Sequence, residues 1–102
     1  MGLCIELTGE AGTVFEVVTD DGNVLHRLLP PHDDNSSPTL ASVDWYGDTV
    51  FNAVQMKRFL AEWDHMAQRA TSREEQALAA TIRAFAERCR DEVHLYLKFI
   101  GD

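Results

Sequence analysis

The hydrophobic repeat of this chain changes midway, and the change limits what it can fold into. Up to Tyr46 the apolar side chains recur every second residue or in short β-branched runs; from Met56 they recur at helical spacing. A chain of 102 residues builds a single domain with one core, so both kinds of element must share it. Strands first and helices afterwards imply an α+β fold with helices segregated onto one face of a mainly antiparallel sheet.

Leu3, Ile5 and Leu7 alternate with Cys4, Glu6 and Thr8, which predicts a first strand. Gly9-Glu10-Ala11-Gly12 reads as a turn, and Val14–Thr19 as a second strand. Asp21-Gly22 accepts the positive φ angles of a two-residue hairpin turn, so Val24–Leu29 is expected to return as a third strand. Pro30-Pro31 ends it, 31–38 is a polar loop, and Leu40–Tyr46 is expected to form a short fourth strand. Met56, Phe59, Leu60, Trp63, Met66, Ala67 and Ala70 then mark one helix face, opened by the Asn52/Gln55 pair. Ser72 with Glu75 is a capping box that starts a second helix, whose stripe is Leu78, Ile82, Phe85 and Cys89. Val93, Leu95, Leu97 and Phe99 alternate again as a fifth strand. The expected order is ββββααβ.

The Asp-Gly turn fixes a register: Val18 opposite Leu25, Glu16 opposite Arg27, and Val14 opposite Leu29. Phe15, Val17 and Leu28 then face the helices, while Val14, Val18, Leu25 and Leu29 form an apolar patch on the far side. A monomer seldom leaves such a patch wet, so a homodimer packed sheet to sheet is expected, with these four residues as its interface. A partner protein, an apolar ligand or the 30–39 loop are the other ways to cover it. The same far face collects Glu6, Glu16, Arg27, His94, Tyr96 and Lys98, and the segment 44–52 adds Asp44, Tyr46 and Asp48 at a sheet edge. These nine residues are the candidate binding face, with a structural ion network as the plainer reading.

Net charge is −8, and its placement is lopsided: residues 1–52 carry nine acids against Arg27 alone, whereas residues 53–102 carry eight of each sign. Such a field repels phosphate backbones, which argues against nucleic acid and leaves a basic protein surface as a possible partner. No apolar run reaches the roughly 20 residues of a membrane span. Gly2–Leu7 is too short for a signal-peptide core and is interrupted by Glu6. Cys4 and Cys89 form no CxxC pair, as expected of two reduced thiols in a cytoplasmic protein.

No catalytic signature stands out. The four histidines, His26, His32, His65 and His94, lack metal-ligand spacing, so no metal or cofactor is expected. No P-loop, dinucleotide fingerprint or nucleophile elbow is present. His94 beside Glu6 or Asp44 is the best candidate for a general base, although a satisfied sheet histidine is the simpler reading.

Two strings, YGDTVFN at 46–52 and HLYLKFIGD at 94–102, resemble segments of a set of small bacterial proteins in which a proline often replaces Trp45. The resemblance covers about one-sixth of the chain. It implies a stand-alone bacterial domain of this size, of a kind carried on mobile gene cassettes, and it brings no activity, cofactor or site residue. Three functional expectations follow from the residues. The first is a non-enzymatic interaction module that self-associates through its open sheet face. The second is an acidic inhibitor of a basic partner, of the immunity-protein or antitoxin type. The third is a small enzyme or ligand binder using His94, Tyr96, Glu6 and Asp44.

Overall fold

A computed structural model describes residues 2–101. Its elements are β1 (Cys4–Gly9), β2 (Val14–Thr19), α1 (Leu25–Leu28), α2 (Pro38–Ala41), β3 (Asp48–Phe51), α3 (Met56–Ala67), α4 (Arg73–Asp91) and β4 (Leu95–Ile100), with a 3-10 turn at Ala53–Gln55. The strands form one antiparallel sheet in the order β2-β1-β4-β3. The fold is therefore α+β, but the order is ββααβααβ. Among the described residues no helix is long and apolar enough to cross a membrane.

Alternation decides which face of the sheet is covered. Leu3, Ile5 and Leu7 from the first strand region, Leu95, Leu97 and Phe99 from β4, and Phe51 from β3 are all buried on the helix side. The stripe of α3 meets them with Phe59 and Trp63, whose rings stack 5.4 Å apart and 12° from parallel. Phe51 and Phe99 complete the aromatic cluster. Trp63 keeps its indole N–H satisfied by donating to the Ala79 carbonyl of α4 at 3.0 Å. Ile82, Phe85 and Cys89 of α4 are buried as their spacing predicts, and Leu78 packs at the margin.

Both capping boxes form. The Asn52 side chain accepts from the Gln55 amide at 3.1 Å while Gln55 returns the bond. Ser72 and Glu75 do the same at the start of α4.

The third and fourth expected strands are absent, and each gives way to a helical turn held by a buried carboxylate. Asp20 sits in the turn after β2 and accepts from the amides of Val24 and Leu25, both at 2.8 Å. Those bonds fold 20–24 into the start of α1 instead of a two-residue hairpin, with Asn23 at φ +53°. Val24, Leu25, Leu28 and Leu29 then enter the core, because their spacing suits one face of a helical turn as well as it suits a strand. The partner of β2 is β1, through pairs Ile5–Val18, Glu6–Val17 and Leu7–Glu16. The expected pairings of Val18 with Leu25, Glu16 with Arg27 and Val14 with Leu29 do not exist.

At the second site, Pro38 occupies the first turn of α2, where its fixed φ and missing N–H fit. The buried Glu62 of α3 accepts from the Thr39 and Leu40 amides at 3.3 and 2.9 Å. This ties the 31–41 region to α3 rather than across the far side of the sheet. The strand lies later, at Asp48–Phe51, pairing with β4. The last strand also starts at Leu95 rather than Val93; Val93 is exposed in the turn after α4.

A third buried carboxylate, Glu75, accepts from the Thr71 and Ser72 amides and from the Arg27 guanidinium. The two backbone bonds, with Arg27 adding to them, lower its pKa from an ordinary 4.5 to about 2. The folded state therefore binds fewer protons at Glu75 than the unfolded chain does. Its stabilising contribution is complete above about pH 5.5 and fades as pH falls through 4.5 towards 2. In urea titrations from pH 7 down to pH 2, Glu75→Gln should flatten the acid limb of stability; an unchanged limb would contradict this role. Asp20→Ala should cost about 2 kcal/mol in the same assay at pH 7, because two buried amides lose their acceptor. A loss under about 0.5 kcal/mol, the scale of an exposed substitution, would show that water replaces the carboxylate.

Candidate functional site: the open sheet face

The residues that alternate with the buried ones form the other face of the sheet, and among the described residues no element covers them. From the registers they lie in cross-strand rows. The central row reads Val17, Glu6, Lys98, Val50 across β2, β1, β4 and β3. A second row reads Thr19, Cys4, Ile100, Asp48, and a third brings Val14 beside Thr8 and Tyr96. Val14 reaches that position because a bulge between Leu7 and Thr8 inserts an extra residue in β2. Val17, Val50 and Val14 are 56%, 52% and 47% exposed, so the edges of this face are apolar and wet.

Its centre is polar. Glu6 and Lys98 are direct cross-strand neighbours and both are half-buried. The Lys98 ammonium leans towards Asp48, 3.6 Å away. Glu6 makes no ion pair or side-chain hydrogen bond among the described residues. Burial, and then the Glu6 charge, push the Cys4 thiol above its ordinary range. Cys89, sealed in the core, is pushed up to about 11 by burial alone, offset in part by a backbone hydrogen bond.

Four of the nine candidate binding residues meet on this face: Glu6, Asp48, Tyr96 and Lys98. Glu16 points to the helix side and pairs with Arg88 of α4 at 2.9 Å. Arg27 lies on α1 and pairs with Glu75 at 3.0 Å. Asp44 stands in the loop before β3, where its carboxylate accepts from the Tyr46 amide at 2.8 Å, and Tyr46 projects into solvent. His94 precedes β4 and faces Glu10 at 3.1 Å, exposed and away from Glu6 and Asp44. The expected four-residue interface dissolves as well: Leu25 and Leu29 are core, Val18 faces the helix side with Ile5, and Val14 alone is exposed on the open face.

Sequence reasoning missed Val17, Val50, Thr19, Cys4 and Ile100. The signal was present in the Gly9–Gly12 turn, which places β2 beside β1 and thereby puts Val17 level with Glu6. The two resembling strings prove to be neighbours, since 46–52 contains β3 and 94–102 contains β4.

A separate groove of about 620 Å³ runs beside the first turn of α3, lined by Thr39, Val54, Gln55, Lys57, Arg58 and Ala61. It holds no pairing of an acid with a base or nucleophile. Among the described residues no group of three His, Cys, Asp or Glu side chains is placed to hold a metal ion. No family model, curated protein or solved structure matches the chain.

The Cys4 environment is directly testable. At pH 7.5 and low protein concentration, Cys4 should react with a disulfide reagent more slowly than a free thiol, and Glu6→Gln should speed it about two- to threefold. Equal rates in both proteins would mean that the Glu6 carboxylate does not reach the thiol.

Proposed function

We propose that this protein is a non-enzymatic interaction module that self-associates through its open sheet face. The observation that carries the reading is the exposure of Val14, Val17 and Val50 on a face that no helix or loop among the described residues covers. An antiparallel sheet that meets water on one side normally shows polar side chains there. Here branched aliphatic residues flank a central Glu6–Lys98 pair, the pattern of a surface that is dry in one state and wet in another.

The inhibitor reading rests on the acidic excess of residues 1–52, of whose nine acids Asp20 points inwards as a cap and Glu16 engages Arg88. For the enzyme reading, His94 lies apart from Glu6 and Asp44 and close to Glu10.

Four strands at about 4.8 Å spacing and six residues at about 3.3 Å give a face of about 19 by 20 Å, small for a stable interface. The dimer is accordingly expected to form with rising concentration. Sedimentation velocity from micromolar to millimolar protein should show a monomer–dimer equilibrium. Val17→Asp and Val50→Asp should each shift it at least tenfold towards monomer while leaving the circular dichroism spectrum unchanged. A wild-type monomer throughout, or a dimer indifferent to both substitutions, would overturn the proposal.

A further inference from the structure

Resting on the self-association reading, we infer that the second copy docks with its two-fold axis parallel to the strands, between β1 and β4, so that Glu6 of each chain meets the partner's Lys98. Two sheets packed face to face keep their strands within about 30° of each other. A two-fold relating them lies between the sheets and runs either along the strands or across them.

The central row separates these choices. Val17, Glu6, Lys98 and Val50 follow one another at equal spacing across the sheet. Rotation about an axis along the strands reverses the row. Glu6 then lies over the partner's Lys98, and Val17 lies over the partner's Val50. Rotation about an axis across the strands and through the row preserves it, setting Glu6 over Glu6 and Lys98 over Lys98; with the axis between the rows, Glu6 lies over the partner's Cys4 and Lys98 over the partner's Ile100, which buries both charges unpaired. Like charges brought together with water excluded cost far more than opposed charges return in solvent.

The neighbouring row agrees with the first choice. Reversing Thr19, Cys4, Ile100 and Asp48 places the Thr19 hydroxyl near the partner's Asp48 carboxylate, and Cys4 against the partner's Ile100. Among the described residues Glu6 also makes no ion pair, and the Lys98 ammonium stands 3.6 Å from Asp48. The arrangement supplies the missing cation from the second copy.

Cysteine pairs read the axis directly. Val17 and Val50 stand three strand spacings apart within a chain, about 14 Å, beyond the reach of an intramolecular disulfide. In a Cys4→Ser background, Val17→Cys and Val50→Cys proteins are oxidised separately and as an equimolar mixture, then resolved on a non-reducing gel. The mixture should give a covalent heterodimer at least tenfold above the dimer from either protein alone. Thr19→Cys mixed with Asp48→Cys should behave the same way and covers the case of one variant folding poorly.

A strong disulfide from Val17→Cys alone would place Val17 over its own counterpart and overturn the inferred axis. So would the absence of any disulfide in a protein that sediments as a dimer sensitive to Val17→Asp. A wild-type monomer would instead overturn the self-association reading, and the docking geometry with it.

Discussion

Backbone N–H groups at the start of three helical segments are satisfied by buried carboxylates, and the arrangement of the molecule depends on those bonds. Asp20 serves α1, Glu62 reaches from α3 to α2, and Glu75 closes the start of α4. Each removes orphan donors that would otherwise be stranded in or near the core, where an unpaired amide costs about 1–3 kcal/mol. The bonds also connect segments: Arg27 of α1 docks on Glu75, and the Arg69 guanidinium donates to the Leu28 carbonyl. The 20–47 segment, which carries the chain from one edge of the sheet to the other, is thereby tied to the helix side. The opposite face is left bare.

That division shows what the sequence could reveal. The helices were legible because their signals are local: a stripe at 3.6-residue spacing and two capping boxes four residues long. So were β1 and the final strand, where alternation leaves little choice, and β2, a β-branched run bounded by turn residues. Val24–Leu29 was not, because VLHRLL fits either a strand or a helical turn, and the deciding contact is a side chain four and five residues upstream. Leu40–Tyr46 failed for a longer-range reason, since Glu62 lies over twenty residues from the amides it holds.

The site followed the fold in both its successes and its errors. Glu6, Asp48, Tyr96 and Lys98 came out together on the open face; alternation places Glu6, Tyr96 and Lys98 once β1 and β4 are strands. Val17 and Val50 were missed because β2 was paired with the wrong neighbour and β3 was placed too early. Leu25 and Leu29 were misplaced by the same step.

The edges of the sheet favour contact through the face. β2 is bulged, and its Phe15 ring lies against Gly9, where an added Cβ would come within 2.9 Å of Cε2. β3 has four residues. A bulged strand and a very short one are poor templates for adding another strand. The face between them offers valines at its margins and opposed charges at its centre, a pattern that a two-fold axis makes self-complementary.

Amide hydrogen exchange at Val24, Leu25 and Leu40 tests most directly whether the inward carboxylates organise this fold. Held by Asp20 and Glu62, these amides should exchange as slowly as those of β1, although they sit at the starts of four-residue helices that would fray in isolation. Exchange at the rate of the exposed 31–36 loop would show that the carboxylates do not hold these turns, and the account of why one sheet face is left open would fail with them.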